Sequence, residues 1–158
     1  MTHAHIDLSG LLPLLVREGF SKPRYCTKDT SELLDIMLQD SAHIQEMEAQ
    51  WEAKKYSRRG LKNPPAALYT TEDALKTAEL LHPVAYHEDF EPAPGIKVTY
   101  YDAGHILGSG SLRLEVTEDD KTTSIIFSGD IGRPQALIVR DPESPPKADY
   151  IFMESTYG

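Results

Sequence analysis

Two histidines and an aspartate stand at alternate positions near the start of the chain. They are His3, His5 and Asp7, in the stretch THAHIDLSG at residues 2–10. Neutral imidazoles together with a carboxylate are common zinc ligands in proteins. On an extended segment, side chains two residues apart point to the same side, so both imidazoles could reach one ion. The stretch therefore predicts a metal site.

Three further side chains that could hold or support a metal each follow a strand-like segment. They are His105 in DAGHILGSGS (102–111), Asp130 in FSGDIGR (127–133) and Glu154 in MESTYG (153–158). Polar side chains beside small residues at strand ends are typical of a functional loop on a rigid sheet. We expect His3, His5, His105 and Asp130 to converge closely enough for one cation.

Apolar periodicity and breaker residues predict the elements that must position these side chains. One helix is predicted at 8–20, with Ser9 as its N-cap. A long helix is predicted after a capping-box-like start at 29–32, and a third helix from Thr70 or Thr71 to before Pro83. A short strand is predicted at 23–27. Four more are predicted at 96–104, 111–119, 122–130 and 148–156, with a hairpin turn at Glu118 to Lys121.

The long middle helix carries large apolar residues at helical spacing. They are Leu33, Met37, Ile44, Met47 and Trp51. Such a stripe usually packs against a core, so we expect it to be buried. The basic segment KKYSRRGLKNPP at 54–65 contains Gly60 and two prolines, which interrupt regular structure. It is interpreted as a solvated linker in preference to a nucleic-acid contact.

Composition restricts the class of protein. The 158 residues are enough for about one domain, and the net charge of -9 argues against binding nucleic acid by bulk charge, though not against a local basic groove. A single cysteine, Cys26, indicates a reducing compartment and is expected in the core. No apolar run approaches the ~20 residues of a membrane span. These features predict a cytoplasmic protein that does not bind membranes.

Taken together and in this order, the four motifs resemble the metallo-β-lactamase superfamily. More narrowly, they resemble its β-CASP branch, which includes RNA-processing nucleases. The resemblance implies an α/β protein with a partial metallo-β-lactamase (αββα sandwich) fold, having a mixed sheet with helices on one side. Residues 1–158 would form the central part of that domain and end where the β-CASP cassette begins.

The resemblance also implies a role for each site residue. His3, His5 and His105 would hold a first zinc ion, and Asp130 would bridge to a second. Asp7 would bind the second ion and orient the attacking hydroxide, and Glu154 would steady the site. The substrate implied is RNA, although DNA stays open.

The sequence departs from the family at several points. Leu8 stands where the family has a histidine that binds the second metal, so we expect at most one zinc ion. The strands that normally precede the first motif, the cassette and its histidines are expected to be missing. A fragment of this kind is predicted to be inactive alone and to self-associate through uncovered edges.

Three functions are compatible with these residues. The first is a zinc-dependent hydrolase of RNA phosphodiesters, of which this chain is a part. The second is a non-catalytic binding or scaffold module, which Leu8 favours. The third is a small-molecule hydrolase of the same superfamily, against which the motif ESTYG argues because it marks the β-CASP insertion.

Overall fold

A computed structural model describes residues 1–156. The chain forms two compact units. The first consists of Met1–Ala4, Arg24–Ser31 and the chain from His82 onward, and the second of His5–Pro23 and Glu32–Leu81. The first unit holds the sheets and the second holds most of the helical residues, so the mixed α/β class is confirmed.

The strands of the first unit form two sheets. Strands β1 (Arg24–Thr27) and β2 (Leu81–Val84) make a two-stranded sheet. A five-stranded sheet contains β3 (Asp89–Ala93), β4 (Ile96–Asp102), β5 (Gly110–Glu118), β6 (Lys121–Phe127) and β7 (Tyr150–Phe152), in that order. All neighbours in it are antiparallel except β6 and β7, which are parallel. The predicted mixed sheet is therefore present.

The hairpin between β5 and β6 turns where the sequence predicts. Glu118 pairs with Lys121, and the two residues between them, Asp119 and Asp120, have φ of 47° and 60°. Positive φ at both central residues is characteristic of a type I′ turn, and aspartate tolerates that conformation better than most residues.

Strands β2 and β3 are missed by the sequence prediction. Strand β3 has the sequence DFEPA, and mostly exposed residues give it no apolar alternation. Its Pro92 cannot donate to a ladder, which fits the position of β3 at one end of the sheet. The core beside it contains Tyr100, whose ring stacks on Phe90 with centroids 5.8 Å apart. Cys26 is fully buried as expected, and burial raises the pKa of its thiol to about 11.

The predicted helix at 8–20 is two short helices instead. Helix α1 spans Ile6–Ser9 and α2 spans Leu12–Arg17. Ser9 is the last residue of α1 and not a cap, because its hydroxyl donates to the carbonyl of His5 at 2.9 Å. Pro13 lacks an N–H and stands in the first turn of α2, where a helix tolerates it, so a new helix begins there.

The long helix α3 spans Lys28–Arg58. It begins one residue before the predicted start at Asp29, and its cap is Thr27, whose Oγ1 accepts from the backbone N–H of Thr30 at 3.3 Å. It also extends into the segment predicted to be a loop and ends there at Arg58, because lysine and arginine are good helix formers as well as common linker residues. The last helix, α4 (Thr71–Glu79), ends before Pro83 as predicted.

The predicted packing face of α3 is wrong. Leu34, Leu38 and Ala42 are fully buried at a spacing of four residues, whereas Met47 and Trp51 are 55% and 62% exposed. The helix has two apolar stripes, and the buried one lies on the side held by Tyr69, whose hydroxyl is 2.9 Å from Ser41 Oγ. In the described part of the chain, no helix is both long and apolar enough to cross a membrane.

Candidate metal centre

The loop between β4 and β5 carries His105 and is fixed by Ser109. The fully buried Ser109 hydroxyl accepts from the backbone N–H groups of His105 and Ile106, at 3.0 and 3.2 Å. The backbone of Ser109 in turn accepts from Ala103 N–H and from the hydroxyl of Tyr86. These bonds close the loop on itself, so the backbone that carries the imidazole is held at both ends.

The same loop is tied to the start of α3 through one carbonyl. The Gly108 carbonyl accepts from Thr27 Oγ1 at 2.6 Å and from Thr30 Oγ1 at 2.8 Å. Gly108 has φ of 78°, and a Cβ there would lie 2.4 Å from Thr30 N. Glycine is therefore required at this position both for its conformation and for the close approach. We call these three residues the threonine clasp.

Asp130 follows β6 on a turn that is bonded to both neighbouring strands. Ser128 N–H donates to the Phe152 carbonyl at 2.9 Å, and the Ser128 carbonyl accepts from Ser111 Oγ at 2.7 Å. Gly129 has φ of 58°, and a Cβ there would lie 2.8 Å from Thr2 Cβ. The close approach at Gly129 brings the Asp130 turn against the segment that carries His3.

Three of the sequence-predicted ligands converge within the first unit. Asp130 Oδ2 lies 3.7 Å from His3 Nε2 and 3.6 Å from His105 Nε2, and the imidazole centroids are 5.3 Å apart. The three ligand atoms lie within 4.8 Å of one another. Thr2 Oγ1 lies 3.1 Å from His3 Nδ1, and such a partner on the other nitrogen orients a ligating imidazole.

This geometry fits a zinc ion better than direct hydrogen bonds. Separations of 3.6 and 3.7 Å exceed the usual N–H···O range of about 2.7–3.2 Å. Two ligands of one zinc ion, each about 2.0–2.2 Å from it, lie about 3.3–3.6 Å apart in a tetrahedral site. His3 is 1% exposed and Asp130 is 45% exposed, so the cluster is closed on one side and accessible on the other.

Glu154 contacts the backbone beside Asp130. Its carboxylate accepts from the backbone N–H of Ile131 and, at 2.7 Å, from Thr156 Oγ1. Its own N–H donates to Ser128 Oγ at 3.0 Å. The Ile131 N–H, and then the Thr156 hydroxyl, hold the pKa of the Glu154 carboxyl below its usual value. Glu154 therefore contacts the turn on both sides of Asp130, through its ionised carboxylate at Ile131 and through its own N–H at Ser128.

Relatives were found by sequence, although no protein-family model matches the chain. Over its whole length the chain is 32% identical to the transcription termination factor FttA of Methanococcus maripaludis and 29% identical to ribonuclease TTHA0252 of Thermus thermophilus. It spans 22% and 31% of those two proteins. The resemblance to the β-CASP branch of the metallo-β-lactamase superfamily is confirmed.

Solved structures with some likeness to this β-CASP-like chain are subclass B3 metallo-β-lactamases. One, with an active-site glutamic acid, has a TM-score of 0.45 at 15% identity and covers 84% of this chain and 42% of its own. Another, MEM-A1 from a soil metagenome library, has a TM-score of 0.41 at 15% identity, with coverage of 80% and 39%.

The remaining residues of the β-CASP motif THAHIDLSG belong to the second unit. His5 is the residue before α1, and its carbonyl accepts from the backbone N–H groups of Leu8 and Ser9. Asp7 is exposed in the first turn of α1, where the helix dipole favours a carboxylate. Leu8 is 53% exposed on the same helix. The roles of His5 and Asp7 as metal ligands, and of Leu8 as the replacement of a ligand, stay predictions.

Proposed function

We propose that the chain provides a zinc site within a longer metallo-hydrolase that cleaves RNA phosphodiester bonds. The convergence of His3, His105 and Asp130 carries the proposal. His5 would join them, since it lies two positions from His3 along the chain. The similarity to a ribonuclease and to a transcription termination factor supports RNA as the substrate.

Different residues of the chain would have different roles at such a site. Zinc would act as a Lewis acid on a phosphoryl oxygen and would generate a nucleophile from water near neutral pH. His3, buried beneath the site, would hold the ion from below, and Asp130 would face the accessible side. Glu154 would keep the Asp130 turn in place. The buried Cys26 thiol fits the reducing cytoplasm that we propose as the compartment.

Leu8 limits the binding of a second metal ion. Its side chain has no donor atom, which leaves Asp7 and Asp130 as the carboxylates proposed for a second ion. A single ion cannot clamp both the attacking and the leaving oxygen as a pair of ions does. We therefore propose at most one zinc ion per chain and phosphodiesterase activity far below that of a two-metal relative.

Metal analysis tests this assignment. The chain, dialysed against zinc, should contain about one equivalent by elemental analysis, and His105→Ala should lose most of it. Leu8→His should raise the content towards two, and in the complete gene product it should raise RNA cleavage in parallel. Two equivalents and full cleavage with Leu8 unchanged would show that position 8 is not a ligand position.

A non-catalytic module is the second candidate, and Leu8 favours it. In that case the complete gene product, fully loaded with zinc, would bind RNA without cleaving it, and Leu8→His would not create cleavage. Release of a labelled RNA end on a denaturing gel separates these outcomes from those of a hydrolase.

A further inference from the structure

Positive charge is concentrated at the end of α3. Residues 54–62 contain five of the sixteen lysines and arginines of the chain and no acidic residue, whereas the chain as a whole has a net charge of -9. Together with the nearby tryptophan these residues form a patch that we call the basic end of α3. It consists of Trp51, Lys54, Lys55, Arg58 and Arg59, with Lys62 following in the sequence.

An exposed indole stands among these cations. Residues three, four and seven positions apart share a helix face, which places Lys54, Lys55 and Arg58 beside Trp51. The Lys55 ammonium lies 4.7 Å from the centroid of the Trp51 ring, and Trp51 is 62% exposed. A shallow hollow of about 310 Å³ is lined by Trp51, Lys54, Lys55, Arg58 and Arg59.

The helix end itself does not require these cations. Gly60, with φ of 67°, donates to the Ser57 carbonyl at 3.1 Å, and Leu61 donates to the Tyr56 carbonyl at 3.0 Å. These two bonds form a Schellman motif, which already satisfies carbonyls of the last turn. The helix dipole favours a cation there, but one or two would be enough.

Most of this charge is also not neutralised by carboxylates. Among the ion pairs of residues 1–156, only Lys55 of the five cations pairs with a carboxylate, that of Glu52 at 2.7 Å. Lys54, Arg58, Arg59 and Lys62 are exposed. The patch therefore presents uncompensated positive charge around an aromatic ring on an otherwise acidic chain.

We propose that the basic end of α3 binds single-stranded RNA, through residues that take no part in the metal centre. Bases stack on exposed aromatic rings, and lysine and arginine contact the phosphates between them. Every nucleotide carries a planar base beside its phosphate, whereas the negative charge of an acidic peptide comes from carboxylates that do not stack on an indole. The proposal rests on the proposed function only in naming RNA as the strand, and it replaces the solvated-linker interpretation of residues 54–65.

The chain contains a single tryptophan, so Trp51 fluorescence reports binding directly. Titration with oligouridine in the presence of EDTA should quench it, because stacking on a base quenches indole emission. The association constant should fall with salt, with a logarithmic slope of about -0.7 for each phosphate contacted. Since EDTA removes any metal, this result is independent of whether the metal centre is catalytic.

Matched variants separate the patch from general charge. Arg58→Gln combined with Arg59→Gln should flatten the salt slope by about 1.4, whereas Lys121→Gln combined with Lys147→Gln, the same change of charge at exposed sites elsewhere, should leave it unchanged. With labelled oligouridine and anisotropy detection, Trp51→Ala should weaken binding about tenfold or more, and Trp51→Phe should retain most of it.

Four outcomes would overturn the proposal. Absence of quenching, or equal effects of the two double variants, would remove the patch from nucleic-acid binding. Poly-glutamate that binds as tightly as oligouridine would assign the patch to an acidic protein partner. Oligothymidine bound more tightly than oligouridine would contradict the choice of RNA. Circular dichroism of each variant establishes whether it is folded. If Trp51→Ala is not folded, Trp51→Phe still provides the test.

Discussion

At the residue scale, Glu154 is placed to act on the metal centre through the backbone. Its carboxylate accepts from Ile131 N–H, and its own N–H donates to Ser128 Oγ. Ile131 directly follows Asp130, so the position of the Asp130 carboxylate depends on this contact. Partners of this kind around a metal ligand typically change metal affinity by about 10- to 100-fold when removed.

We expect Glu154→Ala to weaken zinc binding by about 10- to 100-fold, because the turn that carries Asp130 loses its acceptor. Competition with a chromophoric chelator measures the affinity. Glu154→Gln keeps one oxygen acceptor and should lose less, and Glu118→Ala, at the exposed hairpin turn, is the matched control. If Glu154→Ala lowers the free energy of unfolding in EDTA but leaves zinc affinity unchanged, Glu154 is only a structural residue.

At the element scale, α4 begins with a capping box. Thr70 Oγ1 accepts from Asp73 N–H at 3.3 Å, and the Asp73 carboxylate accepts from Thr70 N–H at 2.9 Å. The backbone N–H of Thr70 is the main reason that the pKa of Asp73 is held below its usual value. The ionised carboxylate also interacts favourably with the helix dipole.

This contact makes the stability of α4 dependent on pH. A lowered pKa in the folded state means that Asp73 stabilises the fold above its unfolded pKa, about 3.9, and that this contribution is lost as the pH falls through the folded pKa. Asp73→Ala should therefore cost about 0.5–1 kcal/mol near neutral pH and much less near pH 3. Glu79→Ala, at the opposite end of α4, should cost nothing. Urea unfolding at each pH measures these differences, and an equal cost of Asp73→Ala at both pH values would contradict the assignment.

Elements were predictable from sequence where local signals were strong. The start of α4 near Thr70 and the alternation in β4 to β6 depend on residues close in the chain. The stripe on α3 was not predictable in this way, because Leu38 and Met47 fit apolar faces equally well and only packing against distant residues such as Tyr69 selects one. Strand β3 has little apolar signal in its own sequence, and it forms because it pairs with β4.

The candidate site shows the same difference between local sequence signals and contacts between distant residues. Residue types, together with positions at the ends of strand-like segments, predict that His3, His105 and Asp130 converge, and the structure brings them together. Ser109, Thr27 and Thr30, which fix the His105 loop, have no comparable signal, because a hydroxyl in a Gly-Ser tract or beside a helix start usually indicates only a turn or a cap. The roles of the two threonines come from hydrogen bonds between residues about 80 positions apart.

At the scale of the whole molecule, one edge of the large sheet is apolar and, within residues 1–156, is not covered by a further strand. Strand β7 is the last strand of that sheet, and Tyr150, Ile151, Phe152 and Met153 are each about 60% exposed. Its backbone groups and side chains together form a template for a strand from another chain. The predicted self-association is therefore best assigned to this edge.

We expect the chain to self-associate with increasing concentration, as seen by light scattering, and Ile151→Lys to suppress this because a charge on an edge strand opposes pairing. Leu137→Lys places the same charge on a fully exposed leucine that is not part of β7 and should have no effect. A monomer at all concentrations, with cooperative unfolding, would rule out association through β7.

The threonine clasp has a consequence for when the site acquires its shape. Because both hydroxyls donate to the Gly108 carbonyl, the His105 loop separates from the start of α3 only if both bonds break together. The loop is thus ordered during folding, and an arriving ion meets an imidazole whose backbone is preorganised. Loss of a bound ion on heating and fraying of α3 at its start would then be a single event at a single temperature.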